Sequence, residues 1–142
     1  MPDRLSHLRP AGEVLDRYRA AAVAQSVDDM ARLYAVDAVH EFPFSRPGLP
    51  TVLSGRDTIM EFVAGGWRNG PLEYARYETV VAYATDDPST IVVQQNAHGT
   101  SSATGDFVLP NLMIVTVRDG EITHLRDFVD VLAALDAIGA GP

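Results

Sequence analysis

Near its C-terminal end the chain reads Glu121-Ile122-Thr123-His124-Leu125-Arg126-Asp127-Phe128-Val129, an alternating stretch in which one carboxylate, Asp127, shares a face with Thr123, Leu125 and Val129. Asp119-Gly120 just before it suits a two-residue hairpin turn, because both positions tolerate positive φ. Counting outward pairs Val117 with Ile122, Thr116 with Thr123, and so on to Leu112 with Asp127, which adds Pro110, Leu112, Ile114 and Thr116 to the same face. A carboxyl among aliphatic neighbours is desolvated, its charged form is disfavoured, and it can pass a proton back and forth as general acid-base chemistry requires. The structural alternative is an ion pair with an arginine or a helix cap. Asp130, directly before Val131, is the better cap, which leaves Asp127 without that task.

Continuing the count through Ala103-Thr104-Gly105 as a three-residue loop sets His98 opposite Pro110 and Asn96 opposite Leu112, on the face of Asp127, where they would orient or polarise a substrate. Pro110 cannot donate to the ladder and can mark a bulge that reverses this parity. His40 lies on the apolar face of an earlier alternating stretch beside Phe42, either as a satisfied core histidine or as a ligand contact. Tyr18, Tyr34, Phe62 and Trp67 fall on helical faces and either pack the core or line a pocket suited to a flat or cyclic ligand. The expected pocket therefore comprises Tyr18, His40, Phe42, Phe62, Trp67, Asn96, His98 and Leu112 around a catalytic Asp127. His7, His40, His98 and His124 lack paired ligand spacing and no glycine-rich phosphate loop occurs, so neither a metal nor a cofactor is expected.

The elements that must hold these residues follow from periodicity. Val14, Leu15, Tyr18, Ala21 and Ala22 recur at helical spacing over residues 13–25, and Ser26 with Asp29 reads as a capping box opening a short second helix. Residues 36–44 alternate, with Val36, Ala38, His40, Phe42 and Phe44 on one face. After a loop holding Pro47, Gly48 and Pro50, Ser54 with Asp57 suggests a capping box for a third helix carrying Ile59, Phe62, Val63 and Trp67, which ends over residues 68–71. Four strands are expected over residues 72–85, 90–102, 107–118 and 121–129, then a helix with Val131, Leu132, Leu135 and Ile138 stopped by Gly139. The order predicts an α+β domain over residues 1–142, a curved antiparallel sheet packed on the helices, with residues 1–12 loosely ordered.

The 142 residues suffice for one core, and 19 acidic against 11 scattered basic residues give a net charge of −8, which argues against nucleic acid as a partner. Cysteine is absent, removing disulfide and thiolate chemistry. No apolar stretch resembles a signal peptide or a membrane span, so the expected location is the cytoplasm, with no membrane partner. Val115, Val117, Ile122 and Phe128, placed by the count on the outer face of the sheet, suggest a homodimer through that face.

The segment Asn111-Leu112-Met113-Ile114-Val115-Thr116-Val117-Arg118-Asp119-Gly120-Glu121-Ile122, followed by Arg126-Asp127-Phe128, resembles the end of SnoaL-like proteins of the NTF2-like superfamily. Gly55-Arg56-Asp57, Arg126-Asp127-Phe128 and residues 132–139 are most similar to the phenazine-biosynthesis A/B proteins. That resemblance implies a cone-shaped fold, a dimer, a pocket for small cyclic amino-ketone compounds, and an acid-base role for Asp127. Phe62 stands where those proteins carry a pocket histidine, which argues for a different substrate. The last strand also resembles that of limonene epoxide hydrolase, but Gln95 and Ala97 occupy the positions of its arginine and aspartate. The function implied is a cofactor-independent isomerase, cyclase or dehydratase of secondary metabolism acting on a small cyclic metabolite. The alternatives are a non-catalytic module holding a small ligand in the same pocket, and an interaction domain whose sheet binds another protein.

Overall fold

The structure is a computed structural model that describes residues 4–140. Helices α1 (Ala11–Ala24) and α2 (Val27–Ala31) precede strands β1 (Tyr34–Glu41) and β2 (Val52–Ser54), followed by helix α3 (Arg56–Asn69). Strands β3 (Leu72–Ala84), β4 (Thr90–Ser101), β5 (Gly105–Arg118) and β6 (Glu121–Val129) lead to the C-terminal helix α4 (Val131–Ile138). The six strands form one sheet in the order β2-β1-β6-β5-β4-β3. All pairings are antiparallel except that of β1 with β6. Helix α1 lies across β3–β6, α3 against β1 and α4 against β5. The core between the helices and the sheet's inner face is built from Val14, Leu15, Met30, Ile59, Val93, Met113, Val115 and Leu125, among others. The sheet with helices on one face is the α+β architecture expected from the element order.

Local signals act much as the sequence suggests, with exceptions. Ser26 Oγ accepts the Asp29 N–H at 3.2 Å, and Asp130 caps α4 by accepting from the Ala133 N–H. The Ser54–Asp57 box does not form: Gly55 is the N-cap of α3, at φ 90°, a conformation that glycine adopts without a Cβ clash. Ser54 instead belongs to β2, a short strand missed in the sequence, which pairs with β1. The stretch expected to be loosely ordered is tied down within the described residues. Leu5 is 1% exposed, its N–H donates to the Asp16 carboxylate, and its carbonyl packs so closely on Gly12 that a Cβ there would lie 1.7 Å from the oxygen. Residues 1–3 of that stretch lie outside the described residues.

The decisive departure lies beside the Asp119-Gly120 turn. Both turn residues have positive φ, 53° and 77°, and Val117 pairs with Ile122 as counted. Thr116 then pairs with His124, leaving Thr123 as an extra residue in β6. The reason is apolar burial: Ile122 and Leu125 are both fully buried, and three positions apart they cannot share a face in strict alternation. The bulge brings both into the core and reverses the parity of β5 against β6. Asp127 therefore pairs with Met113, and Leu112 pairs with Phe128 on the outer face. The β4–β5 loop also differs, pairing Ser101 with Gly105, so that Asn96 opposes Pro110 and His98 opposes Val108. This two-residue offset preserves parity, and the change of face comes from the bulge alone.

Two further expectations fall with it. Val115, Val117 and Ile122 are core residues, so the outer apolar patch from which a homodimer was argued does not exist in that form. Of that group Phe128 remains outside, against Phe44 and the Arg126 guanidinium. In β1 the register shifts between Tyr34 and Val39, so Val36 points to solvent rather than sharing the buried face of Ala38 and His40.

Candidate functional site

A cavity of about 450 Å³ opens between the concave face of the sheet and the helices. Tyr18 of α1, Phe62 and Trp67 of α3, and His40 and Phe42 of the β1 region line it, together with Asp127. Most of the remaining wall is apolar or aromatic. A largely apolar recess of about 170 Å³ adjoins it, sharing Phe42, Phe62, Val129 and Ala134. Volumes of this order hold small organic ligands.

Asn96, His98 and Leu112 do not reach the cavity. Asn96 and His98 lie on the outer face, where both bond to Glu78, at 3.2 and 2.9 Å. The bonds from His98 and then Asn96 hold the Glu78 carboxyl below its usual range. In their place the reversed parity brings Gln95, Ala97 and Asn111 to the wall, along with Tyr74 and Tyr77 of β3. The signal that could have located them was the spacing of Ile122 and Leu125. Gln95 and Ala97 were met in the sequence only as departures from an epoxide-hydrolase pattern.

Asp127 is 7% exposed and held on both oxygens. Asn111 Nδ2 donates to Oδ1 at 2.8 Å, and His40 Nε2 lies 3.2 Å from Oδ2. His40 itself is 3% exposed and its Nδ1 stands 3.1 Å from the Tyr34 hydroxyl. Burial raises the Tyr34 phenol, and the negative charge of Asp127 raises it further, so the hydroxyl stays protonated. An ionised carboxylate only accepts, so Nε2–H donates to Asp127, and in a neutral imidazole Nδ1 then accepts from the Tyr34 hydroxyl. Tyr18, Tyr74 and Tyr77 are likewise raised, chiefly by burial, with Asp127 among the causes in each.

These groups converge through long-range pairing. Strand β6 lies between β1 and β5, and the parallel register sets His40 opposite Leu125, beside Asp127. Asn111 comes from β5 on the other side. A carboxylate offers about four lone-pair sites. Two are used by His40 and Asn111, and two remain for a group in the cavity. Among the described residues no cluster of three histidine or carboxylate side chains could hold a metal ion. No helix of the described chain is long and apolar enough to cross a membrane.

Sequence comparison bears on this arrangement, for a profile of the SnoaL-like domain matches residues 15–125. The chain belongs to the SnoaL-like family. An uncharacterized PhzA/B-like protein of Pseudomonas aeruginosa is 30% identical over 109 residues, covering 75% of this chain and 74% of that protein. A solved Bacillus subtilis structure, provisionally described as an isomerase, superposes with a TM-score of 0.84 at 22% identity, covering 92% of this chain and 94% of that one. A phenazine biosynthesis-related protein of Pseudomonas aeruginosa superposes with a TM-score of 0.71 at 20% identity, covering 100% of this chain and 88% of the other. The two superpositions establish the NTF2-like fold.

Proposed function

We propose that the protein is a cofactor-independent acid-base enzyme, an isomerase, cyclase or dehydratase, acting on a small cyclic carbonyl compound of secondary metabolism. The observation that carries the reading is the Asp127 carboxylate, facing an aromatic-walled cavity and steadied by His40 and Asn111. In this reading Asp127 takes a proton from the carbon beside the carbonyl and returns it elsewhere on the same molecule. The electron pair of the broken C–H bond forms a C=C bond, and the carbonyl π pair moves to oxygen. His40 fixes the carboxylate's direction, and the Tyr34 hydroxyl keeps the imidazole in the tautomer that donates to Asp127. Pre-set orientation of this kind lowers the reorganisation that proton transfer requires.

The aromatic walls favour a flat ring, and the apolar recess accommodates an alkyl substituent. Phe62, packed 5.7 Å from Phe42, makes the wall apolar where the resemblance leads one to expect a histidine, so a condensation identical to that of the phenazine proteins is not proposed. Gln95 and Ala97 supply no arginine–aspartate pair, and epoxide hydrolysis by that route is not proposed either. The test compares wild type with Asp127→Asn by calorimetric binding of ring ketones and by their turnover. Binding retained with turnover lost supports the enzyme. Binding without turnover in the wild type contradicts it and makes the protein a ligand-holding module.

A further inference from the structure

We propose that Gln95 is the hydrogen-bond donor that polarises the substrate's carbonyl oxygen, and that Arg19, behind it, is the positioning residue that keeps the amide turned for this task. Gln95 is 1% exposed and forms part of the cavity wall. Its Oε1 accepts from Arg19 Nε at 2.9 Å, and its Nε2 lies 3.2 Å from Met113 Sδ. The two ends of a glutamine amide look alike in shape, but here chemistry tells them apart. A guanidinium has five donors and no acceptor, so it can meet only the oxygen. The NH2 group must then turn away from α1. One of its hydrogens goes to a thioether, a weak acceptor, and the other has no acceptor among the described residues.

Arg19 is itself over-determined. It is 7% exposed, its second guanidinium nitrogen reaches Thr79 Oγ1 at 3.0 Å, and its charge sits 5.7 Å from the Tyr77 ring centre. A charge-assisted bond to the amide oxygen also draws electron density from the nitrogen, which strengthens the N–H as a donor through the cooperativity of linked hydrogen bonds. Such an apparatus is more than a buried glutamine needs for packing.

The placement fits the chemistry above. Gln95 pairs with Asn111 across β4 and β5, and Asn111 is the residue that bonds Asp127. Donor and base thus stand on strands separated only by β5 and offset by two residues along it, roughly 12 Å apart at the backbone, with the cavity above them. When Asp127 removes the proton and the π pair moves to oxygen, the developing negative charge meets a fixed N–H that needs no reorganisation. This inference rests on the acid-base reading of the cavity and specifies the ligand's second handle, an acceptor oxygen on the ring.

The experiment uses cyclohex-2-enone carrying ¹³C at the carbonyl carbon, because hydrogen bonding to a carbonyl oxygen moves that resonance downfield. In the wild-type protein the bound ketone is expected downfield of its position in Gln95→Leu and in Gln95→Glu, which presents an acceptor in place of the donor. Arg19→Met, which frees the amide to turn over, should lose much of the shift, and Arg19→Lys should restore part of it. Exchange of the ring protons for deuterium should slow by roughly 10²–10³-fold in Gln95→Leu, while the dissociation constant moves far less. Absence of a downfield shift in the wild type, or an equal shift in Gln95→Leu, overturns the inference. Should an Arg19 variant fail to fold, the Gln95 pair still decides the matter. A shift without Asp127-dependent exchange would retain the donor and refute the acid-base reading; exchange without a shift would do the reverse.

Discussion

Replacing Tyr34 with phenylalanine removes one oxygen atom and should weaken the whole polar chain. The hydroxyl donates to His40 Nδ1 at 3.1 Å, Tyr34 is wholly buried, and His40 is too enclosed for water to take over. The variant leaves a buried imidazole nitrogen without a donor, which costs about 1–3 kcal/mol. At roughly 4 °C per kcal/mol for a chain of this size, Tm should fall by about 4–12 °C. Urea unfolding followed by circular dichroism measures the free energy. A double-mutant cycle sharpens the test, because His40→Phe alone removes the imidazole partner of the Tyr34 hydroxyl, leaving it its bond with Tyr18, and strips one donor from Asp127. The Tyr34→Phe/His40→Phe pair should therefore cost less than the sum of the single changes, by about 1–2 kcal/mol. Nitrogen-15 NMR of the imidazole should show the Nε2–H tautomer in the wild type. A loss below about 0.5 kcal/mol for Tyr34→Phe, or strict additivity, would refute the reasoning.

Other consequences follow from the same geometry. Tyr18, Tyr34, Tyr74 and Tyr77 are all raised, so the folded state holds their protons more tightly than the unfolded chain. The stability they carry is fully present below the unfolded phenol value of about 10 and is lost as pH rises above it, by up to about 1.4 kcal/mol per pH unit for each phenol. Urea midpoints measured from pH 8 to 11 should fall only in the upper part of that range, together with delayed tyrosinate absorbance. Deleting Thr123 removes the bulge and forces Leu125 and Asp127 off the face shared with Ile122, so the variant should lose about 4 kcal/mol or more, read as a collapsed amide spectrum or insoluble expression. Asn96→Ala and His98→Ala, on the outer face with exposed Glu78, should leave ring-ketone affinity unchanged within about 0.5 kcal/mol by calorimetry.

Much of the architecture was legible because its signals are local. The periodicity of α1 and α3, the Asp119-Gly120 turn and the Asp130 cap each depend on residues within a few positions of one another. Helical faces turned Tyr18, Phe62 and Trp67 toward the sheet without separating pocket lining from core packing, and simple alternation in β6 put Asp127 on the face of Leu125. What failed was parity carried across strands. One extra residue at Thr123, called for by the burial of both Ile122 and Leu125, moved Asn96, His98 and Leu112 to the outer face and brought in Gln95, Ala97 and Asn111. Pro110 drew attention as a bulge candidate, whereas the irregularity lay on the partner strand. The His40–Asp127 contact depends on the parallel pairing of β1 with β6, residues 87 positions apart in the chain, and no short-range pattern encodes such a pairing. The edge strand β2 was hidden for a related reason: three residues beside a proline-rich loop carry too little periodicity to be read.

The most direct measurement is the rate at which a ring ketone exchanges its carbonyl-adjacent protons for deuterium in the presence of the wild-type protein and of Asp127→Asn, followed by proton NMR under conditions where both bind the ketone. Protein-dependent exchange in the wild type, slowed by about 10²–10⁴-fold in Asp127→Asn with affinity preserved, is the expected result. Exchange at the buffer rate in the wild type, or equal in the two proteins, would contradict Asp127 as the proton-transferring group.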